Sequence, residues 1–456
     1  MKLKYLSTAM ILATLPATGA FAAALDRSGQ SIAAFLQPGN YFEAGISVLD
    51  PDVAGKDLAG NNTGDMAGDY YFPHAALKLQ PTENFSFGLI YDQPFGADAE
   101  YKNKSNFVAS GSDGVLPGTS LTNGLPVVTG KPNAVGPGGI PVIVNGNGQP
   151  VAIALNAQQS GNTSVQVDSQ NINFIFGFQP NKNLNFYAGG VYQTVKGDVS
   201  LRGQAYSLYN GYDAYIPEDS AFGWLAGAAF QIPEIALKAS LTYRSEIDHK
   251  VNVDESLPLL GPLGSLLVAT GKVTPAQLNG LLNASGETKI TTPQSVNLDF
   301  QTGVMANTVA FANVRWVNWK DFSIQPYKFG QLSKLAGGML PALGKPNGFN
   351  LVDYSDDQWS VTAGVGRKLN EQWAGNVSVG WDSGAGNPVT TLGPTEGYWN
   401  VGVGVQYSPT PATFIAGGVK YFWLGDADAV TGAHSAAGTF EDNKAIAYGL
   451  KMGYRF

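Results

Sequence analysis

The feature that most constrains this chain is a period-two alternation of apolar residues with small or charged ones. Successive side chains of a β-strand point to opposite faces, so the alternation predicts strands with one apolar face. It recurs over residues 235–246 and, less cleanly, over 310–317. It is clearest at the C-terminus, where the apolar face is Ile446, Tyr448, Leu450, Met452, Tyr454 and Phe456.

Such runs predict about fourteen strands, joined alternately by tight turns and by much longer connections. Outer-membrane barrels have this plan, with short periplasmic turns and long outer loops. We therefore predict an all-β fold: a transmembrane antiparallel β-barrel of about 14 strands with a short N-terminal luminal segment. A soluble, secreted all-β protein is the alternative. The predicted strands are 41–49, 69–79, 84–93, 164–178, 184–195, 220–230, 235–246, 290–303, 308–319, 357–368, 372–382, 397–407, 412–423 and 444–456.

The N-terminus predicts a signal peptide over residues 1–22. Lys2 and Lys4 precede an apolar run, and residues 20–22 form a small-x-small cleavage site, so we expect the mature chain to start near Ala23. An uncleaved membrane anchor is the alternative. Beyond this region no apolar run reaches the length of a membrane-spanning helix, so we predict none. A secreted barrel of this kind belongs in the outer membrane of a Gram-negative bacterium.

Composition excludes several classes of protein. The chain has no cysteine, which excludes a disulfide scaffold, thiol catalysis and cysteine-ligated metal. Its 35 acidic residues outnumber its 27 basic ones, so we expect no nucleic-acid partner. The three histidines, His74, His249 and His434, belong to no Ser-His-acid set and no paired metal-ligand motif. We expect no enzyme, no catalytic residue, no metal and no cofactor.

Five segments stand in a characteristic order along the chain: 48–53 (VLDPDV), 239–247 (ASLTYRSEI), 316–322 (WVNWKDF), 380–383 (GWDS) and the closing strand to Phe456. Together they resemble the FadL-type long-chain fatty acid transporters of the outer membrane. The resemblance covers most of the mature chain and implies fourteen strands. It also implies transport of long-chain fatty acids or other hydrophobic small molecules. The ligand would be captured at extracellular loops, pass into the lumen and leave laterally through the barrel wall.

The N-terminal segment departs from this family, whose members plug the barrel with a hatch. Only residues 23–40 precede the first predicted strand, and the sequence QPGN at 37–40 stands where the family has Asn-Pro-Ala. We assign residues 23–40 to a short hatch-like segment and residues 41–456 to the barrel with its long extracellular loops. The segment either folds into the lumen or frays as a periplasmic tail.

The resemblance further implies a lateral gate in the third strand, which kinks inward in family members. The matching positions are Gln93, Pro94, Phe95 and Gly96. Proline cannot donate to a strand ladder and glycine bends it, so both residues favour an interruption of the wall. The alternative is that Pro94 only ends the strand.

A fatty acid needs an apolar channel for its chain and a cation or hydrogen-bond donor for its carboxylate. Charges inside a barrel also form ion-pair networks that fill the lumen, as Arg244 and Glu246 would. The carboxylate candidates are Arg244, Arg315 and Lys420, if they point inward, and Lys196, Arg202 and Lys328 at the extracellular ends.

Two long loops are candidates for a role outside the membrane. Residues 102–163 are rich in Gly, Pro, Asn and Ser and form either an ordered cap or a target for phage and antibodies. Residues 247–289 are rich in leucine, and the resemblance implies a hydrophobic groove beside the channel mouth. Packing of the loops on one another explains the same leucines. The candidates for hydrophobic capture are Leu259, Leu260, Leu263, Leu266 and Leu267.

The expected partners are a hydrophobic small-molecule ligand, outer-membrane lipids and the barrel-assembly machinery, and we expect the barrel to be a monomer. The alternative functions are a general diffusion porin and a surface adhesin or phage receptor. Porins favour a wide, charged, water-filled eyelet. The inward faces predicted here are instead rich in small residues and carry few charges.

Tyr454 and Phe456 resemble the C-terminal signal that the barrel-insertion machinery reads, because a terminal aromatic residue follows alternating apolar ones. We expect deletion of Phe456 to lower the amount of folded barrel in the membrane. Heat-modifiable migration on gels measures this amount, and unchanged migration of the deletion variant would contradict the prediction.

Overall fold

The computed structural model describes residues 25–456, so the predicted signal peptide at 1–22 lies outside the described residues. The described residues contain fourteen antiparallel wall strands, each paired with its neighbours along the chain. The strands are β1 (Tyr41–Asp52), β2 (Tyr70–Leu79), β3 (Phe85–Asp92), β4 (Ser164–Asn181), β5 (Leu184–Leu201), β6 (Tyr212–Ile232), β7 (Leu237–Arg244), β8 (Ser295–Met305), β9 (Thr308–Val317), β10 (Gln358–Lys368), β11 (Trp373–Asp382), β12 (Tyr398–Thr410), β13 (Thr413–Leu424) and β14 (Lys444–Arg455).

The sheet closes on itself because β1 pairs with β14. The register runs from Tyr41 opposite Arg455 to Asp52 opposite Lys444. A closed sheet has no free edge, so its backbone donors and acceptors can all be satisfied inside hydrocarbon. The predicted antiparallel barrel of fourteen strands is confirmed.

Side chains along each strand alternate between a lipid-facing surface and the lumen. On β12, for example, Val403 points outward and is 60 % exposed, while its two neighbours in sequence are less exposed. Aromatic pairs mark the rims of this outer surface: Trp224 packs on Tyr243 toward the loops, and Trp373 packs on Tyr407 toward the turns. The apolar band therefore lies between two aromatic girdles, as in other membrane barrels.

Strand boundaries differ from the sequence prediction mainly on the extracellular side. The strands β5 and β6 extend farther there than predicted, and β6 already begins at Tyr212. Above the membrane the outer face of the sheet meets water, so the apolar alternation that reveals a strand is lost there. β7 is shorter than predicted because the chain bends at residues 245–246. Beyond the bend, Ile247–Asn252 pairs with Glu287–Thr292 as a separate ribbon.

The long loops pack together as a cap over the extracellular end. Within it, a cluster of buried aromatic and aliphatic side chains joins several loops. The loop at 102–163 is ordered and contains a five-stranded sheet of short strands. None of the helices within residues 25–456 has the length and apolar character needed to span a membrane. The α-helices of the cap are α1 (Leu260–Ala269), α2 (Pro275–Leu282) and α3 (Tyr327–Met339).

Candidate functional site

The N-terminal segment, residues 25–40, lies inside the barrel. Residues 32–37 form a helical turn whose Phe35 side chain is fully buried against the wall. Phe35 fits there because Gly88 of β3 and Gly177 of β4 leave a notch: a Cβ atom on Gly88 would lie 2.4 Å from the ring, and one on Gly177 would lie 2.8 Å from it. Two wall glycines thus anchor the segment through one aromatic side chain.

Two arginines of the barrel wall bind the beginning of the segment. Arg315 Nε of β9 donates to Asp26 Oδ2 at 2.7 Å, and both side chains are almost fully buried. Arg315 also donates to Gln30 Oε1 at 3.1 Å. Arg244 of β7 donates to Gln30 O at 3.0 Å and to Asn173 Oδ1 at 2.8 Å. These two candidates for carboxylate binding are therefore engaged in holding the segment.

The third strand is interrupted where the sequence places the lateral gate. β3 resumes as the short strand Gly96–Glu100, and both parts pair with β4. The N-terminal segment supplies hydrogen bonds at the interruption: Arg27 N donates to Pro94 O at 2.7 Å, and Gly96 N donates to Leu25 O at 3.0 Å. Irregular backbone is tolerated in a membrane wall only where protein satisfies its polar groups. The segment and the interruption therefore depend on each other.

A gap in the wall separates β2 from β3 beside this interruption. Within the described residues, the register between the two strands ends where Ala75 lies opposite Tyr91. The segments that precede β2 and follow β3 meet again farther out, where Gly68 N donates to Asp98 O at 2.9 Å. The four predicted gate positions, 93–96, lie along the β3 side of this gap.

A cavity of about 230 Å³ runs from the lumen to the gap. Its lining includes Pro73 and Gln93, which lie on the lipid-facing sides of β2 and β3, together with Ile32 and Leu36 of the N-terminal segment. Its charges offset one another, with three lysines and three acids, and Lys451 Nζ lies 3.5 Å from Glu43 Oε2. The charged residues of the lining are Lys238, Lys420, Lys451, Glu43, Asp92 and Asp299.

Lys420 is the one of the six carboxylate candidates that lines this cavity. Lys238 and Lys451 also line the cavity and were not among the candidates, although both lie on the small or cationic face of their strands. That face was the signal that could have found them. The extracellular candidates contact other residues of the cap or rim: Lys196 with Asp168 (3.8 Å), Arg202 with Asp213 (2.7 Å) and Lys328 Nζ with Glu255 O (3.4 Å).

The leucines predicted to capture ligand are not exposed, which corrects that expectation. They lie at and within α1, where the loops pack on one another, and a Cβ atom on Gly264 would meet the side chain of Leu278 of α2. Residues that are this deeply buried offer no landing surface for a ligand. Their exposed fractions are Leu259 0 %, Leu260 4 %, Leu263 4 %, Leu266 7 % and Leu267 7 %.

A second irregularity of the wall lies between the third and fourth extracellular loops. In the described chain, residues 216–223 of β6 have no strand register with β7, and side-chain contacts replace it. His249 Nδ1 lies 3.0 Å from Asp219 Oδ2, and Nε2 lies 3.0 Å from Gln193 Oε1. Burial lowers the pKa of His249, while the neighbouring Asp219 opposes that shift. Side chains thus close this part of the wall.

Comparison with known families agrees with this architecture. A family model described as outer membrane protein transport protein (OMPP1/FadL/TodX) matches residues 154–456. The chain belongs to this family. The resemblance seen in the sequence is confirmed, and so are the bacterial outer-membrane location and the assignment to transport proteins rather than enzymes.

Solved structures with the same fold are distant in sequence. A FadL homologue of Pseudomonas aeruginosa is 14% identical, with a TM-score of 0.62 over 93% of this chain and 92% of that one. The toluene transporter TodX of P. putida is 13% identical, with a TM-score of 0.56 over 93% and 91%. The toluene transporter TbuX of Ralstonia pickettii is 11% identical, with a TM-score of 0.53 over 97% and 98%. A sequence search of curated proteins found no match.

Breaking the buried pair of Arg315 and Asp26 tests whether the segment is part of the folded barrel. We expect Asp26→Asn to leave the guanidinium without its counter-charge and to lower the free energy of unfolding by about 3–5 kcal/mol. Urea unfolding in lipid vesicles measures this loss. The control is Asp168→Asn, which breaks the exposed contact with Lys196 and is expected to cost less than about 1 kcal/mol. Equal losses in the two variants would contradict the prediction.

Filling the notch tests the anchoring of Phe35. We expect Gly88→Leu to expel the ring, because even a Cβ atom at this position collides with it, and to expose the N-terminal segment to protease. Limited proteolysis of the purified barrel measures this exposure. The control is Gly190→Leu on β5, where a Cβ atom would meet nothing within 4 Å. Equal resistance of both variants to cleavage would show that Phe35 is no anchor.

Proposed function

We propose that this protein carries hydrophobic small molecules, long-chain fatty acids among them, into the outer membrane through the gap between β2 and β3. The observation that carries the proposal is the cavity between the lumen and the lipid-facing residues Pro73 and Gln93. A ligand that follows this cavity leaves the barrel sideways, in the membrane, and bypasses the periplasm.

Solvation favours this exit for a hydrophobic ligand. Each methylene group kept out of water contributes roughly 0.8 kcal/mol. An axial exit would expose the whole apolar part of the molecule to the periplasm, whereas a lateral exit transfers it into lipid from the cavity, which Ile32, Leu36 and Ile90 help to line. The gap beside Ala75 and Tyr91 therefore offers the lower barrier.

The same structure argues against a general diffusion porin. A porin needs a wide aqueous lumen, but residues 25–40 occupy the lumen here and the loops form a cap above it. The charges that line the cavity are equal in number and partly paired, as Lys451 is with Glu43. This lining favours uncharged or weakly polar molecules over hydrated ions.

For the ligand we propose a chemical class rather than one compound. TodX and TbuX are named toluene transporters, and their shared fold makes aromatic hydrocarbons reasonable ligands beside fatty acids. Lys420 remains the candidate for a carboxylate among the six predicted residues, because it is the member of that set in the cavity lining. Capture outside the membrane is proposed at the extracellular loops, but not at the buried leucines of α1.

The lateral exit is tested by filling its lower edge. Ala75 lies on the lipid-facing side of β2 and lines the cavity, so we expect Ala75→Trp to slow uptake of labelled toluene and oleate by cells several-fold. The control is Leu77→Trp, which places the same ring on the same face of β2 but below the gap. Wild-type uptake by a well-folded Ala75→Trp protein would show that ligand leaves elsewhere.

Gly96 is a less selective position for such a test, although it belongs to the predicted gate. It is buried and pairs with Asp168 of β4, and a Cβ atom there would lie 3.1 Å from Val167 O. A large residue at Gly96 would therefore disturb the contact with β4 and with Arg27 as well as the gap. Ala75 avoids this ambiguity.

A further inference from the structure

The residues of β8 that face the lumen differ in what they bind. Asn297 Nδ2 donates to Gly29 O of the N-terminal segment at 2.8 Å. Gln301 Nε2 donates to Ala236 O at 3.2 Å. Asp299 lies between these two residues on the same face of the strand, and it lines the cavity of about 230 Å³ that leads to the gap in the wall. Its carboxylate therefore stands on the path that we propose for the ligand.

Only one oxygen atom of the Asp299 carboxylate has a hydrogen-bond partner within residues 25–456. Asn313 Nδ2, from the neighbouring strand β9, donates to Oδ1 at 2.8 Å. Oδ2 is buried and accepts no hydrogen bond in this part of the chain. Ser240 lies opposite on β7 and interacts with the carboxyl group, but its Oγ atom forms no hydrogen bond of normal geometry with it. Buried polar atoms without partners are rare in proteins, so a ligand that donates to Oδ2 would supply the bond that the wall leaves unmade.

The charge of this carboxylate is not neutralised at close range. Among the described residues, no lysine or arginine lies within ion-pair distance of Asp299, and Lys238 and Arg315 attract it only from farther away. An ionised carboxylate accepts hydrogen bonds and donates none. Hydrogen bonds to an ionised acceptor are roughly twice as strong as those between neutral groups. The site therefore selects for a ligand that carries a hydrogen-bond donor.

The rest of the cavity limits what that donor can be. Three lysines line the cavity, Lys238, Lys420 and Lys451, and they would repel an ammonium head group. Apolar side chains line it as well, among them Ile32 and Phe311. An apolar molecule with a neutral hydroxyl group fits both properties. Phenols and long-chain alcohols are molecules of this kind.

We propose that Asp299 determines specificity in the lumen by accepting a hydrogen bond from the hydroxyl group of phenols and long-chain alcohols. Asn313 positions the carboxylate through Oδ1, and Oδ2 binds the ligand. The proposal rests on the proposed function in taking this cavity as the path to the lateral exit. It deepens that function, because it names a polar group that the lumen recognises on an otherwise hydrophobic molecule.

The first test uses the wild-type barrel and two ligands that differ in the donor. In p-cresol the ring carries a hydroxyl group, whereas in 4-methylanisole a methyl group on the same oxygen removes the donor. We expect p-cresol to bind the purified barrel roughly tenfold more tightly, because a hydrogen bond to a charged group is worth more than one to a neutral group. Isothermal titration calorimetry measures both affinities, after subtraction of titrations into protein-free detergent. Equal affinities would overturn the proposal.

The second test assigns this preference to Asp299. We expect Asp299→Asn to abolish it, because the amide is uncharged and can donate to the ether oxygen of 4-methylanisole as readily as it accepts from p-cresol. The control is Asp382→Asn, which alters a buried aspartate of β11 that lies outside the cavity lining and accepts from Gln358 and Gly384. We expect this control to keep the preference.

The outcomes of these titrations are distinct from those of the test of the lateral exit. A preference for p-cresol that persists in folded Asp299→Asn, or that is lost equally in Asp382→Asn, would overturn the role of Asp299. Toluene has no hydrogen-bond donor, so its uptake by the Ala75→Trp variant reports on the exit alone. Heat-modifiable migration shows whether each variant is folded, and the comparison of the two ligands on the wild type needs no variant.

Discussion

The structure depends on one constraint: backbone groups that face hydrocarbon need partners within the protein. Antiparallel pairing of neighbouring strands, closed by β1 against β14, satisfies this constraint around most of the wall. The wall departs from regular pairing beside Pro94, and there Leu25 and Arg27 of the N-terminal segment supply backbone hydrogen bonds. A further bond runs from Phe95 N to the side chain of Ser169 on β4. The irregular wall and the segment inside it are thus parts of one arrangement.

The segment is held by contacts of several kinds on different sides of the barrel. Phe35 fills a glycine notch in β3 and β4, Arg315 of β9 pairs with Asp26, and Lys78 and Lys238 bind the end of the helical turn. A luminal segment this short has no core of its own. Its order comes from the wall, which explains why so many of the polar residues that face the lumen bind protein rather than ligand.

These contacts divide the lumen by chemistry. The upper cavity carries balanced charge and reaches the lipid-facing side of the wall, whereas a second cavity of about 580 Å³ is lined by residues of the periplasmic turns. Leu36 and Gln37 line both cavities, and their carbonyl groups accept hydrogen bonds from Lys238 and Lys78.

The sequence alone determined the number of strands, their approximate limits and their lipid-facing sides. These properties depend on a period of two residues, which is local, and on the length of the turns between strands. The family resemblance pointed to the interruption at Pro94 and Gly96, and the local effects of proline and glycine on a ladder agree with it. Strand ends above the membrane were predicted poorly because no lipid face marks them there.

The tertiary structure decided which polar residues are free to meet a ligand. Arg315 and Asp26 are 289 positions apart, and no local pattern indicates that they pair. The leucines of α1 were predicted to form an exposed patch, but in the structure they are buried. Composition alone cannot distinguish a buried cluster from a surface. The carbonyl of Leu36 likewise accepts a hydrogen bond from a lysine 202 positions away. The hydrophobic period and the turn residues are local properties of the sequence, but burial and charge pairing arise only when distant segments meet.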